Sequence, residues 1–87
     1  MEFTAEVVVT LKPVINDPQG LVVRESLQQL GFGGVSRVRV GKHVVVELSA
    51  ADPEVARRDV AEMCERMLRN PVIEDARFSV AEASVVS

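Results

Sequence analysis

Apolar and polar side chains alternate along the start of the chain. The apolar positions are Phe3, Ala5, Val7, Val9 and Leu11. A period of two is typical of a β-strand that turns one face to the core, so a first strand is predicted here.

The next segment carries the signals that begin and end a helix. Asp17-Pro18 offers a capping carboxylate followed by a proline, whose fixed φ suits a first helical turn. Gly31 stands where a left-handed residue ends a helix, and Phe32 is then expected to fold back on the helix. The apolar residues at helical spacing between these signals are Val23, Leu27 and Leu30.

Two more alternating runs, residues 35–40 and 44–48, lie on either side of Gly41-Lys42. Two β-type runs that flank a short glycine-containing turn are typical of a β-hairpin. A second and a third strand are therefore predicted, joined by this turn.

Asp52-Pro53-Glu54 repeats the signal for the start of a helix, with an acid near its N-terminus. The predicted helix runs to about Arg69, where Asn70-Pro71 ends it, and residues 72–80 form a last strand. The expected apolar stripe of this helix is Ala56, Val60, Met63, Cys64, Met67 and Leu68.

The order β-α-β-β-α-β predicts an α+β fold, a four-stranded antiparallel sheet with two helices on one face. Val8 and Val45 are expected on the other face, which is either bare or part of a subunit interface. We expect one domain over residues 1–87, with a core of about residues 3–81 and a short C-terminal tail, residues 82–87.

Composition narrows the class of protein. The 87 residues are 47% hydrophobic, too apolar for a disordered chain and too few for two independent cores. A chain this short buries only roughly 60% of the surface that its unfolded form exposes, which favours self-association. The net charge of −3, with basic and acidic residues intermixed, argues against a nucleic-acid partner. No apolar run approaches the roughly 20 residues that span a bilayer, and no targeting signal is recognisable, so a cytoplasmic protein without membrane partners is expected.

The residues that could carry chemistry are isolated from one another. Cys64, the one cysteine, lies on the apolar stripe of the second helix and is expected in the core. His43 is expected on the surface, with no second His or Cys near it in sequence to form a metal site. Glu74 and Asp75 are adjacent on a strand and point to opposite faces, so they cannot act as an acid and base pair. No catalytic, cofactor-binding or metal-binding residue is predicted.

Two glycine-containing turns remain. The glycines of residues 31–34 lead out of a helix, whereas a phosphate-binding loop leads into one, so they are assigned to the helix end and the following turn. Gly20 stands in the first turn of the first helix, at a cost of about 0.8–1.0 kcal/mol relative to Ala. A glycine there predicts close approach of another group, and an anion or a partner's carboxylate could dock at this helix start.

Six short motifs occur along the chain at characteristic spacings. They are Val9-Thr10-Leu11-Lys12-Pro13, Asp17-Pro18-Gln19-Gly20, Leu30-Gly31-Phe32, Val38-Arg39-Val40-Gly41-Lys42, Met63-Cys64-Glu65 and Asn70-Pro71-Val72-Ile73-Glu74-Asp75. Together they resemble the PurS subunit family of phosphoribosylformylglycinamidine (FGAM) synthase over about residues 5–80.

The resemblance implies a small, non-catalytic subunit that forms a homodimer or higher homo-oligomer and joins the synthetase subunit PurL and the glutaminase subunit PurQ. The assembled enzyme is a C–N ligase of de novo purine biosynthesis that consumes ATP and ammonia released from glutamine. By the same resemblance, ATP and Mg²⁺ belong to PurL, and this chain binds no cofactor. Its implied role is assembly of the complex, with a share in ammonia transfer as a further expectation.

The motifs also point to individual positions. The residues expected at partner contacts or turns are Lys12, Asp17, Gln19, Gly20, Arg39, Gly41, Lys42 and Asn70. Ala76 departs from the family pattern, which often has an aromatic residue after the Glu-Asp pair, so subunit packing is expected to differ there.

Two alternatives share a similar element order. A regulatory domain of the ACT type often has an Asp-x-Pro-Gly-like turn before its first helix, from which Asp17-Pro18-Gln19-Gly20 departs. An acylphosphatase-like hydrolase needs an Arg in the loop after the first strand, and residues 12–16 contain none.

Overall fold

Three strands and two α-helices account for most of the chain in the computed structural model, which describes residues 1–83. The predicted tail therefore lies outside the described residues from Ser84 onward, while Glu82 still belongs to the last strand. The elements are β1 (Glu2–Leu11), α1 (Pro18–Gln29), β2 (Lys42–Ser49), α2 (Pro53–Met63), a π-helical turn (Cys64–Leu68) and β3 (Glu74–Glu82).

The sheet has three antiparallel strands in the order β2-β1-β3. Val7 in the central strand lies opposite Val44 on one side and Phe78 on the other. The predicted α+β class is retained, but the prediction of a four-stranded sheet is wrong because residues 35–40 form no strand in this chain.

The backbone conformation and hydrogen bonds of this segment explain why the predicted hairpin does not form. A two-residue hairpin of the type I′ class needs positive φ at both central residues, and Gly31 is the one residue among 1–83 with positive φ. The N–H of Val40, which a hairpin would direct to the neighbouring strand, instead donates to the carboxylate of Asp17 at 2.9 Å. Residues 35–40 therefore connect α1 to β2 without joining the sheet.

The core lies between one face of the sheet and α2. The helix begins as predicted, with Asp52 capping the N–H of Val55 at 2.9 Å and Pro53 in the first turn. The buried residues of this core are Phe3, Ala5, Val7 and Val9 from β1, with Ala56, Val60 and Cys64 from the helical segment.

The helical segment ends in a π turn, in which the N–H of Arg69 donates to the carbonyl of Cys64. A π turn is wider than an α turn and shifts the residues after it around the helix axis. Met67 is 80% exposed as a result, so its predicted place on the buried stripe is wrong, whereas the predicted burial of Cys64 is confirmed.

Both ends of α1 agree with the sequence prediction. Asp17 caps the N–H of Gly20 at 2.8 Å. At the other end, Gly31 has φ of 102°, and the N–H of Phe32 donates to the carbonyl of Leu27 at 3.1 Å. This is the Schellman arrangement, in which a left-handed glycine lets the chain satisfy the last helical carbonyls.

The position of α1 differs from the prediction. The prediction placed both helices on the sheet, but Gly20 is the one buried residue of α1, and Val22 and Leu30 are 61% and 74% exposed. The radius of gyration is 16.7 Å, whereas a compact chain of this length would have about 12 Å. Only α2 covers the sheet, and α1 leaves its apolar residues uncovered within the described chain.

Candidate partner-contact site

Three segments meet beyond one end of the sheet: the β1–α1 loop, residues 37–42 at the approach to and start of β2, and the turn before β3. A groove of about 470 Å³ opens where the first two segments meet Glu74. Most of the sequence-predicted contact residues lie in or beside this region, although they are far apart in sequence.

Asp17 lies at the centre of this region and is 7% exposed. Its two carboxylate oxygens accept hydrogen bonds from the backbone N–H groups of Gly20 at 2.8 Å and Val40 at 2.9 Å. These bonds hold the pKa of Asp17 below its ordinary value, with the Gly20 bond the largest cause, because they favour the charged form. The carboxylate is committed to the fold and is not available to a ligand.

Two glycines permit close approach of backbone segments. A Cβ on Gly20 would lie 2.2 Å from the carbonyl oxygen of Val38, and a Cβ on Gly41 would lie 2.3 Å from that of Val9. The close approach that the sequence predicted at Gly20 therefore comes from the chain's own backbone. Both glycines allow residues 38–41 to lie against α1 and β1.

Arg39 fixes the β1–α1 loop. Its Nη2 donates to the carbonyl oxygens of Lys12 at 2.7 Å and Ile15 at 2.9 Å, and more weakly to that of Leu11 at 3.3 Å. Arg37 adds a bond from its Nη2 to the carbonyl of Pro13 at 2.7 Å. Loop carbonyls that have no helix or strand partner are satisfied in this way.

Lys12 and Asn70 connect the region to β3. Lys12 forms an exposed ion pair with Asp75 at 2.8 Å. The N–H of Asn70 donates to the side chain of Glu74 at 2.7 Å, while its own side-chain oxygen accepts from the N–H of Val72 at 3.0 Å. Asn70 is thus a turn residue, and Lys12 bridges two strand ends.

Gln19 and Lys42 are the predicted residues whose side chains stay exposed at the groove. Neither makes a side-chain hydrogen bond to another residue in the part of the chain described here. The predicted set therefore divides into residues that build the loop region and these two, which present free polar groups.

His43 and Cys64 lie where the sequence predicts, one at the surface and the other in the core. His43 is exposed, with Nε2 3.5 Å from a carboxylate oxygen of Glu6. Cys64 is buried, and desolvation raises the pKa of its thiol. Among residues 1–83 no three His, Cys, Asp or Glu side chains cluster as a metal site would require, and no helix there is both long and apolar enough to cross a membrane.

Sequence reasoning missed Arg24 and Arg37, which lie beside the predicted residues. Both line a second cleft together with Arg39 and Asp17. The available signals were the spacing of Arg24, two helical turns after the Asp17 cap, and the alternation of Arg37 with Arg39 along an extended segment.

A model of the family described as PurS: Phosphoribosylformylglycinamidine (FGAM) synthase matches residues 4–82. The chain belongs to the PurS family. Curated PurS subunits from Synechocystis and Bacillus subtilis are 41% and 40% identical to it over 78 and 82 residues. These matches cover 90% and 92% of this chain and 78% and 94% of the two relatives.

Solved PurS structures have the same fold. Thermus thermophilus PurS superposes with a TM-score of 0.88 at 32% identity, covering 97% of this chain and 100% of that one. A chain in the structure of PurLQS from Thermotoga maritima gives a TM-score of 0.84 at 27% identity, covering 93% and 99%. Because the chain belongs to the PurS family, the ACT-like and acylphosphatase-like hypotheses are not pursued further.

Proposed function

We propose that this chain is the small, non-catalytic subunit of a cytoplasmic FGAM synthase and assembles with PurL and PurQ. The observation that carries this proposal is the likeness, over 93% of the chain, to a subunit of the Thermotoga maritima PurLQS structure. ATP and Mg²⁺ act in PurL under this proposal, and the exposed groove residues Gln19 and Lys42 contact a partner subunit.

Reconstitution with PurL and PurQ tests this proposal. In the presence of glutamine and ADP, the three chains should co-migrate in size exclusion, with a mass that gives their ratio. Lys42→Glu should lower the fraction of the chain that co-migrates with PurL and PurQ at least tenfold. Arg57→Glu, an equal charge reversal on the exposed side of α2, should leave that fraction unchanged. Loss in both variants, or in neither, would exclude the groove as the contact.

The same preparation tests a share in ammonia transfer. Without the chain, glutamine-dependent synthesis should fall while synthesis supplied with ammonium chloride persists, because PurL keeps its own active site. Glutamine-dependent synthesis that proceeds unchanged without this chain would contradict the proposed function.

The uncovered apolar surfaces support self-association as a homodimer or higher homo-oligomer. A groove of about 540 Å³ lies between β2 and the end of the α2 segment, lined in part by Val46, Met63, Met67 and Leu68. Exposed apolar side chains on α1, among them Leu21, Val22 and Val23, and an uncovered apolar groove on the same small chain favour an arrangement in which α1 of one copy fills the groove of another.

Light scattering after size exclusion tests this arrangement. Val22→Glu on α1 and Met67→Glu at the groove should each convert the oligomer to a monomer, because each places a charge in the proposed interface. Val14→Glu changes a valine of the β1–α1 loop that is even more exposed, at 89% against 61% for Val22, and should leave the oligomer intact. A monomeric native chain, or an oligomer that survives both interface variants, would contradict the proposal.

A further inference from the structure

A second cleft, of about 290 Å³, shares Asp17 with the partner-contact groove but opens on different residues. Its walls are the β1–α1 loop from Pro13 to Asp17, the start of α1 and residues 37–39. None of these lining residues takes part in the contacts proposed above through Gln19 and Lys42.

The charge lining this cleft is strongly unbalanced. Arg24, Arg37 and Arg39 contribute three guanidinium groups, and Asp17 contributes the one carboxylate. Both oxygens of that carboxylate already accept backbone N–H groups. Asp75, which lines a neighbouring groove with Arg37 and Arg39, is paired with Lys12 at 2.8 Å. Positive charge therefore exceeds negative charge at the cleft.

The three arginines differ in the hydrogen-bond partners of their guanidinium groups. Arg37 and Arg39 each use Nη2 on loop carbonyls, which fixes their positions, and a guanidinium has further N–H donors to offer. Nε of Arg24 is buried and has no hydrogen-bond partner in the described residues. Because an atom that solvent cannot reach is also closed to a ligand, the donors that Arg24 offers to the cleft are its two Nη groups, which make no hydrogen bond to residues 1–83.

We propose that this cleft binds a phosphate group, with Arg24 as the main ligand and Arg37 and Arg39 completing the charge. Guanidinium groups bind phosphate oxygens through directed, charge-assisted hydrogen bonds. The lining of the cleft has no aromatic side chain on which a base could stack. The group bound is thus the phosphate itself, either inorganic or at the end of a ribonucleotide whose base remains outside.

Titration of the full chain at low ionic strength, followed by calorimetry and by amide NMR shifts, tests this site. Inorganic phosphate should give saturable binding, with shifts in the β1–α1 loop that sodium chloride at matched ionic strength does not reproduce. Tighter binding of adenosine monophosphate would identify a ribonucleotide as the source, whereas equal or weaker binding would identify inorganic phosphate. No saturable binding of either probe, or equal binding of acetate, would overturn the proposal.

Substitutions locate the site. Arg24→Gln should weaken phosphate binding at least tenfold while the circular dichroism spectrum and the oligomeric state stay unchanged. Arg37→Gln, which loses one loop hydrogen bond, should weaken it several-fold and serves if Arg24→Gln does not fold. Arg57→Gln, on the exposed side of α2, should bind phosphate as the native chain does. Undiminished binding by folded Arg24→Gln or Arg37→Gln would place phosphate elsewhere and overturn the proposal. These titrations use the chain without PurL or PurQ, so their failure leaves the assembly proposal standing.

Discussion

The carboxylate of Asp17 accepts a hydrogen bond from the backbone N–H of Val40, a residue 23 positions further along the chain, at 2.9 Å. The other oxygen of the same carboxylate caps α1 through the N–H of Gly20. One side chain thus joins the start of a helix to the segment that leads into β2. Since both donors are backbone groups, the position requires two acceptor oxygens.

Asp17→Asn should therefore destabilise the fold, because an amide keeps one acceptor oxygen and turns its NH₂ group toward the other N–H. Asp52→Asn is the matched control, since Asp52 accepts a single backbone bond and Asn caps a helix about as well as Asp. The control should lose at most about 1 kcal/mol, the scale of a carboxylate's interaction with the helix dipole. Urea unfolding at one protein concentration should show a larger loss for Asp17→Asn. Equal losses would mean that the Val40 bond contributes nothing.

The same carboxylate should give stability a pH dependence. Its pKa is lowered in the folded chain, chiefly by the Gly20 bond and then by the Val40 bond. A lowered pKa means that this contribution is fully present above the unfolded value of about 3.9 and is lost as pH falls through the folded pKa. The difference in unfolding free energy between the native chain and Asp17→Asn should be constant from pH 7 to 5 and shrink below pH 4. A difference that does not change down to pH 2.5 would contradict this assignment.

Gly20→Ala should destabilise the chain even though alanine is the better helix former by about 0.8–1.0 kcal/mol. The new Cβ would meet the carbonyl oxygen of Val38 at 2.2 Å, and that backbone cannot withdraw without breaking the neighbouring Val40 bond. We expect a net loss of about 1–3 kcal/mol, as for other overpacked sites. Gly33→Ala is the control, because nothing lies within 4 Å of its Cβ position. Thermal or urea unfolding that shows Gly20→Ala to be as stable as Gly33→Ala would exclude this close contact.

Local sequence signals predict the fold correctly where a feature is set by residues that are close in sequence. The alternation of β1, the Asp17 and Asp52 caps and the Gly31 helix end are each set by neighbouring residues, and each is found as predicted. The prediction of a hairpin is wrong because alternation in residues 35–40 indicates an extended backbone but does not show which groups its N–H and C=O groups bond to. The N–H of Val40 has a distant side chain as its acceptor, which no local pattern reveals.

The place of α1 and the composition of the candidate site depend on distant contacts in the same way. The stripe of Val23, Leu27 and Leu30 marks an apolar face, but the sheet formed within residues 1–83 does not cover it. Arg24 carries no motif, and only the folded loop brings it beside Arg37 and Arg39. At Gly20 the sequence does predict a close contact, because a glycine in the first turn of a helix is less stable than an alanine. Only the fold shows that the neighbour is the backbone of Val38.

Cys64 should resist alkylation in the folded chain. It is 5% exposed within the core formed with Val7 and Val60, and desolvation raises the pKa of its thiol, so little of the reactive thiolate forms at pH 8. Iodoacetamide labelling, followed by mass spectrometry across a urea series, should track global unfolding. Cys64→Ala carrying Val14→Cys moves the thiol to a loop position that is 89% exposed and lies outside the proposed self-association interface, and this variant should label rapidly without urea while it remains folded. Equal labelling rates for the two folded proteins would show that the π turn opens readily and that Cys64 is not a fixed part of the core.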